Sequence, residues 1–132
     1  MKALIVEDDA VSRKLMQSIL SPYGDCQTAA DGEEALEAFR SAWEKGAPFD
    51  LICMDIMMPN MDGHEALERM RAIEKDRGTP SGKEAKVIMT TALSDPQNVV
   101  RALYREGAAS YIVKPIEKDR LLEEVQRMGF LE

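Results

Sequence analysis

The chain alternates between two spacings of apolar residues. Short, nearly continuous apolar runs predict β-strands at residues 2–6, 26–30, 49–54, 86–90 and 110–113. Segments with apolar residues three and four positions apart separate these runs and predict α-helices at residues 10–21, 33–45, 63–75, 95–106 and 117–128. In the first of these helices the spacing places Val11, Leu15, Ile19 and Leu20 on one helical face. Glycine or proline lies at most of the junctions and marks the turns.

Five strand–helix pairs in strict alternation predict an α/β fold in which a five-stranded parallel sheet carries helices on both faces. The crossover connections of such a sheet are right-handed in nearly all proteins, which leaves few possible topologies. We expect one domain over residues 1–128 and a short C-terminal tail over residues 129–132. Ligands of open α/β sheets bind at the carboxyl ends of the strands, so the functional residues are expected at that edge.

The composition indicates a globular protein and excludes several classes of function. The 132 residues are 45% hydrophobic and 31% charged, with a formal net charge of -7. This acidic balance argues against a nucleic-acid-binding surface, which needs clustered lysine and arginine. No apolar run reaches the length of a membrane span, and the run at residues 1–6 is too short for a signal-peptide core. The two cysteines, Cys26 and Cys53, are expected to be reduced, buried thiols in a cytoplasmic protein.

Asp55 is the most informative single residue, because it places a carboxylate at the end of an apolar run. An ionised group in such a place is costly unless a partner compensates its charge. Other polar residues follow the predicted strands and should meet Asp55 at the same edge: Glu7, Asp8 and Asp9, then Thr90 and Thr91, and finally Lys114. Two carboxylates ~4 Å apart repel by about 4 kcal/mol at an effective dielectric constant of about 20, so a divalent cation would stabilise the cluster. Oxygen ligands alone favour Mg2+ over zinc or copper.

Taken singly, these residues have simpler explanations. The acids after the first strand would equally suit a solvated turn in which Asp9 caps the first helix. Thr91 could simply end a strand, and Lys114 alone would be a surface lysine. His64 follows a glycine at a turn that we expect to be exposed, and we assign it no phosphotransfer role.

Four motifs together resemble the receiver domain of two-component response regulators. They are Glu7-Asp8-Asp9 after the first strand, the segment from Asp55 to Gly63, Thr91-Ala92, and Lys114-Pro115. Each motif alone is a weak indication, whereas all four in this order at the strand ends are specific. The resemblance covers essentially the whole chain and implies the strand order 2-1-3-4-5.

The resemblance implies that Asp55 is the phosphoacceptor, whose carboxylate attacks the phosphoryl group of a donor phosphohistidine. It also implies Mg2+ as the cofactor. Asp8 and Asp55 would bind the ion directly, and Glu7 would bind it through water. Met57 aligns with the residue that offers its backbone carbonyl to the metal, a role that makes no demand on its side chain.

The resemblance further implies residues that bind phosphate and transmit the signal. The Thr91 hydroxyl would donate a hydrogen bond to a phosphoryl oxygen, and Lys114 would pair with the phosphate as a point charge. On phosphorylation Thr91 would move toward the phosphate and Tyr111 would rotate inward, which changes the face formed by the fourth helix, the fifth strand and the fifth helix. The bond between Lys114 and Pro115 is a candidate cis peptide. The implied partners are a sensor histidine kinase or histidine phosphotransfer protein, a downstream target protein, and a second copy of the chain at the same face.

The chain departs from the best-known receiver pattern at Met57 and Leu93, where faster-cycling members often carry polar residues. We therefore expect a comparatively long-lived phosphoryl group.

Rival functions are a phosphohydrolase of the haloacid-dehalogenase type, a constitutive pseudo-receiver that only binds partners, and a flavodoxin-like electron carrier. The phosphohydrolase would need a second acid at position 57, where this chain has Met57. A pseudo-receiver would typically lose the acceptor or the acid pair, and both are present here. The electron carrier would need a phosphate-binding loop rich in Ser, Thr and Gly after the first strand, and the sequence has none there.

Overall fold

The computed structural model describes residues 1–92 and 96–131. Five parallel strands form one sheet in the order β2-β1-β3-β4-β5, so the predicted α/β class and strand order are confirmed. The strands are β1 (Lys2–Val6), β2 (Asp25–Ala29), β3 (Leu51–Asp55), β4 (Lys86–Thr91) and β5 (Ser110–Val113). The central strand is β3, and its last residue is Asp55.

Helices pack on both faces of the sheet. They are α1 (Ala10–Leu20), α2 (Gly32–Glu44), α3 (Gly63–Asp76), α4 (Pro96–Val100) and α5 (Lys118–Arg127). A 3-10 helix over Ser21–Tyr23 follows α1. The predicted start of the fourth helix at Asp95 lies outside the described residues. Within the described ranges, no helix is long and apolar enough to cross a membrane.

Two apolar clusters hold the sheet, one on each side. On one side Leu4 and Ile52 belong to the same cluster as residues of α2 and α3. On the other side Ile5 and Cys53 pack with residues of α1 and α5. Each fully buried aliphatic side chain contributes about 1.5–3 kcal/mol. Because both faces of β3 are covered, its continuous apolar run is explained, and its carboxyl end is fixed from two sides.

The apolar face predicted for α1 is buried over only part of its length. Val11 and Leu15 are 77% and 43% exposed, whereas Met16, Ile19 and Leu20 are buried against the sheet. Each step of four residues along a helix turns it by about 40°, so Leu15 and then Val11 lie progressively farther from the buried direction. The apolar spacing alone did not reveal which side of the helix meets the sheet.

The prediction that His64 lies on an exposed turn was wrong. His64 is 2% exposed, because it lies in the first turn of α3 on the same inward stripe as Leu67. Asp62 begins this helix by accepting a hydrogen bond from the Glu65 N–H at 2.9 Å. The helix therefore starts one residue before His64 and turns the imidazole toward α4.

The predicted fourth helix changes its winding after Val100. Arg101–Arg105 form a π-helical turn, and the Glu106 N–H donates to the Arg101 carbonyl at 3.2 Å. We name this turn, together with Glu106 that ends it, the π segment. Farther along, Phe130 and Leu131 pack against the cluster on the α1 and α5 side, and the domain boundary at residue 128 stays a prediction.

Gly63 allows α3 to begin directly against the end of β3. Its N–H donates to the Ile56 carbonyl at 2.7 Å. A Cβ atom at Gly63 would lie 2.5 Å from the Asp55 carbonyl oxygen and 2.9 Å from the Ile56 Cα. Only glycine therefore fits here without moving the backbone of Asp55 and Ile56.

We expect Gly63→Ala to lower the free energy of unfolding by about 2–3 kcal/mol, because the methyl group overlaps backbone atoms that cannot rotate away. Gly78→Ala is the control, since a Cβ there meets nothing within 4 Å and only a left-handed backbone (φ 72°) opposes the change. That strain costs about 1 kcal/mol. Urea denaturation measures both variants, and an equal loss in the two would contradict the close approach at Gly63.

Candidate functional site

The polar residues that follow the strands meet at the carboxyl edge of the sheet. Lys114 Nζ lies 2.8 Å from Glu7 Oε1 and 3.0 Å from Asp55 Oδ2. These contacts join residues that are 107 and 59 positions apart in the sequence. One ammonium group therefore bridges the ends of β1, β3 and β5, as the strand-end argument predicted.

Asp55 has a hydrogen-bond donor for each of its carboxylate oxygens. Oδ1 accepts the Met57 N–H at 3.1 Å, and Oδ2 accepts from Lys114. The residue is only 4% exposed. An unpaired carboxylate would be unstable at this depth, so these two donors are what permit the buried position.

Glu7, Asp8 and Asp55 form an acidic cluster. Each offers one carboxylate oxygen, and these oxygens all lie within 4.8 Å of one another. Glu7 and Asp55 are buried and Asp8 is exposed. The second oxygen of Glu7, Oε2, is buried and has no hydrogen-bond partner. A set of oxygen ligands with an unsatisfied buried acceptor fits a hard divalent cation such as Mg2+, with Asp8 on the solvent side.

The electrostatics of the cluster follow from burial and from the short distances. Burial raises the pKa of the Glu7 carboxyl to about 7, and the Asp55 carboxylate adds to this rise while Lys114 opposes it. Burial alone would lower the pKa of Lys114, but its hydrogen bonds to Glu7 and Asp55 outweigh burial and raise it. Lys114 is therefore a permanent cation here, whereas Glu7 takes up and releases a proton near neutral pH.

The start of α1 fixes the loop that carries the acids. Asp9 is the N-cap, and its Oδ2 accepts the Ser12 N–H at 3.0 Å and the Ser12 hydroxyl at 2.7 Å. These hydrogen bonds lower the pKa of Asp9. Arg13 Nη1 donates to the Glu7 carbonyl at 2.8 Å. The expected capping role of Asp9 is confirmed, and the loop is held at both its ends.

The loop after Asp55 presents its backbone to the site and its methionines mostly to the core. Met58 and Met61 are buried, whereas the Met57 side chain is 65% exposed at the rim. Asn60 takes a left-handed conformation (φ 69°), which turns the chain back toward α3. The proposed metal-binding role of the Met57 carbonyl stays a prediction.

Residues of β4 and β5 complete the rim. Thr91 is 5% exposed at the end of β4, and its carbonyl accepts the Lys114 N–H at 2.7 Å. The peptide bond between Lys114 and Pro115 is cis. Tyr111 is half-buried and packs against the cluster on the α2 and α3 side. The structure thus brings Thr91 and Lys114 to one edge, and their roles toward phosphate stay predictions.

The cysteines take no part in this site. Cys26 and Cys53 are free thiols; Cys53 is buried as expected, whereas Cys26 is only half-buried. Burial raises the pKa of Cys53 to about 12, which keeps it in the unreactive thiol form.

Sequence reasoning missed a second polar cluster beside the site. His64 Nδ1 lies 2.5 Å from Glu106 Oε1, and His64 Nε2 lies 3.0 Å from Asn98 Oδ1. The signal was present in the sequence, because His64 precedes Leu67 and Met70 by three and six residues on the inward face of α3. A polar residue on such a stripe requires a buried partner.

Comparison with known proteins places this geometry in a family. Residues 3–126 match the family model described as "Response regulator receiver domain". The chain is 39% identical over 127 residues to the chemotaxis protein CheY of Listeria monocytogenes, and the alignment covers 96% of this chain and 97% of that protein. It is 36% identical over 126 residues to the chemotaxis protein CheY of Treponema pallidum, and the alignment covers 94% of this chain and 79% of that protein.

Solved structures show the same likeness. The CheX–CheY–BeF3–Mg2+ complex from Borrelia burgdorferi matches with a TM-score of 0.82 at 31% identity, covering 100% of this chain and 90% of that chain. The complex of the phosphotransfer protein Ypd1 with the receiver domain of Ssk1 from Saccharomyces cerevisiae matches with a TM-score of 0.83 at 27% identity. The match covers 98% of this chain and 88% of that chain. The chain therefore belongs to the response regulator receiver domain family and is a CheY-like receiver of two-component signalling.

Proposed function

We propose that Asp55 accepts a phosphoryl group from a histidine kinase or a histidine phosphotransfer protein in a Mg2+-dependent reaction. The observation that carries this proposal is the placement of Asp55, whose two carboxylate oxygens are held by the Met57 N–H and the Lys114 ammonium beside Glu7. The relatives support the kind of partner, because a histidine phosphotransfer protein is bound to one similar receiver domain.

In the proposed reaction a carboxylate oxygen of Asp55 forms a bond to phosphorus. The bond from phosphorus to the donor imidazole nitrogen breaks, and its electron pair stays with the imidazole. Glu7, Asp8, Asp55 and the Met57 carbonyl would hold Mg2+, which would supply positive charge for the phosphoryl oxygens. The chain's own contribution is mainly positioning and charge stabilisation.

Lys114 has a different partner in each state of this scheme. In the unphosphorylated protein its ammonium stabilises the Glu7 and Asp55 carboxylates. In the phosphorylated protein it pairs with a phosphoryl oxygen as a compact charge, and the Thr91 hydroxyl donates a hydrogen bond to another. Tyr111 then moves inward toward the space left beside Thr91.

The output surface in this proposal is the face formed by α4, β5 and α5. Three large apolar side chains are exposed on α4, the π segment and β5, which supports a role in binding a partner protein or a second copy of the chain: Val100 at 53%, Tyr104 at 81% and Val113 at 38%. A coupling of about 1–3 kcal/mol between phosphorylation and this face would suffice for signalling.

We expect the protein to gain a single phosphate when it is incubated with acetyl phosphate and Mg2+, and Asp55→Asn to gain none, because the amide oxygen is a poor nucleophile. Asp76→Asn is the matched control, since that carboxylate is exposed at the end of α3. Intact-mass spectrometry counts the phosphates. Phosphate on Asp55→Asn would refute the assignment. If neither the wild type nor Asp55→Asn gains phosphate, the result would favour a pseudo-receiver. Continuous turnover of excess acetyl phosphate would favour a phosphohydrolase.

The raised pKa of Glu7 has a direct consequence for metal binding. In the folded, metal-free protein Glu7 keeps its proton up to about pH 7, whereas the unfolded chain releases it near the ordinary value of 4.5. The folded state therefore holds the additional proton between these values, and its stability falls as the pH rises through this window. A cation that needs ionised Glu7 must displace the same proton.

Mg2+ should accordingly bind about tenfold more tightly at about pH 8 than at about pH 6, as measured by titration calorimetry. Glu7→Gln keeps the shape of the side chain and cannot ionise, so its weaker Mg2+ affinity should vary little with pH. The same tenfold dependence in Glu7→Gln would assign the titration to another group.

We also propose that the exposed apolar Met57 contributes to a long-lived phosphoryl group, because an apolar rim orients an attacking water poorly. The second residue in that argument, Leu93, lies outside the described residues. Met57→Asn supplies a hydrogen-bonding group and should shorten the half-life of the phosphorylated protein by roughly threefold or more, whereas Met57→Leu should leave it nearly unchanged. Decay of phosphate label from the isolated phosphoprotein measures both variants. Equal half-lives for Met57→Asn and wild type would contradict this role.

A further inference from the structure

A buried polar cluster joins the first turn of α3 to α4 and the π segment. His64 and Glu106 are 2% and 5% exposed, and His64 Nδ1 lies 2.5 Å from Glu106 Oε1. On the other side of the ring, His64 Nε2 lies 3.0 Å from Asn98 Oδ1. The phosphorylation chemistry proposed above uses none of these side chains.

The contacts of His64 define its charge. When Glu106 is ionised, its carboxylate and the Asn98 carbonyl oxygen only accept hydrogen bonds, so both ring nitrogens donate. A ring that donates from both nitrogens is an imidazolium cation. In this state His64 and Glu106 form a buried ion pair.

The other charged groups around the pair complete the balance. Arg101 Nε lies 3.2 Å from Glu106 Oε2, and Arg101 Nη2 lies 3.5 Å from Glu68 Oε1. Burial raises the pKa of Glu106, while His64 and Arg101 counteract this by stabilising the carboxylate. Glu106 thus has a cation near each oxygen, but its buried Oε2 accepts no hydrogen bond within the described residues.

The pair connects the loop after Asp55 to the π segment. His64 directly follows Gly63, which packs against the backbone of Asp55 and Ile56. Glu106 directly follows the π-helical turn. Single π turns of this kind occur frequently at functional sites.

We propose that His64 and Glu106 form a charged latch that holds the π segment against α3 and couples its position to the loop after Asp55. The latch stands on geometry in the unphosphorylated protein, and only its use in output rests on the proposed function. Removal of one partner from a buried ion pair leaves an uncompensated charge, so the latch should open when either side chain is neutralised.

The charge state of the latch can be measured directly, because His64 is the only histidine in the chain. At about pH 7.5 the ring nitrogen signals of the wild-type protein in 15N NMR should be those of an imidazolium, with protons on both nitrogens. Glu106→Gln should convert them to the signals of a neutral imidazole. A neutral ring in the wild-type protein would overturn the proposal. Because this measurement is made on the wild-type protein, it does not depend on whether a variant folds.

Amide hydrogen exchange tests the mechanical part of the proposal. Glu106→Gln and His64→Leu should both accelerate exchange in residues 99–105 by about tenfold or more, with little change in the β-strands. Glu65→Gln is the matched control, because it removes an exposed ion pair with Arg69 on the same helix. Equal acceleration in the control, or none in the two variants, would overturn the latch.

A final comparison separates this proposal from the proposed function. Glu106→Gln should take up phosphate from acetyl phosphate to the wild-type extent, because Glu106 does not belong to the acidic cluster at Asp55. Phosphorylation should change the exchange of residues 99–105 in the wild type and change it at least threefold less in Glu106→Gln. An undiminished response in the variant would overturn the coupling. Failure of the wild type to take up phosphate would instead refute the proposed function and leave the NMR result for the latch standing.

Discussion

The contact of one ammonium with two buried carboxylates is the interaction on which the site depends. Lys114 Nζ lies within 3.0 Å of oxygens from both Glu7 and Asp55. Lys114 directly follows β5, Glu7 directly follows β1, and Asp55 is the last residue of β3. Without this cation the two acids would repel each other in a region of low dielectric constant. With it, the cluster including Asp8 still carries more negative than positive charge when Glu7 is ionised. The remaining charge and the unpartnered Glu7 Oε2 explain why the edge suits a divalent cation.

The sheet makes this convergence possible and also limits what surrounds it. Because β3 is central and buried on both faces, the end of that strand is fixed, and the side chain of Asp55 has little freedom. The loops that follow β1 and β3 are held by the caps at Asp9 and Asp62. A fixed nucleophile in a preorganised charged environment needs little rearrangement during group transfer. The destabilising acids are therefore placed at the ends of strands that the fold buries.

The sequence predicted the carboxyl-edge residues well and the helix faces less well, for different physical reasons. That Glu7, Asp55 and Lys114 would meet follows from the topology of a parallel sheet, which does not depend on side-chain packing. The inward side of α1 depends on how that helix packs on the sheet, and the apolar spacing, which grouped Val11 and Leu15 with Ile19, did not show that the first two are exposed. The same limitation hid His64, whose partner Glu106 is 42 positions away. The π winding that presents Glu106 leaves no recognised pattern in the sequence.

The two polar clusters share one short connection, and its packing determines what it can transmit. Asp55 ends β3, Gly63 contacts its carbonyl closely enough to exclude a Cβ atom, and His64 is the next residue of α3. A close-packed contact of this kind cannot absorb a displacement by compressing, so a shift at the end of β3 must move the first turn of α3 or strain it. A loose loop would dissipate the same shift. In the proposed scheme the tight glycine at the start of α3 and the buried ion pair one residue later are therefore complementary, since the first conveys the displacement and the second carries it to the π segment.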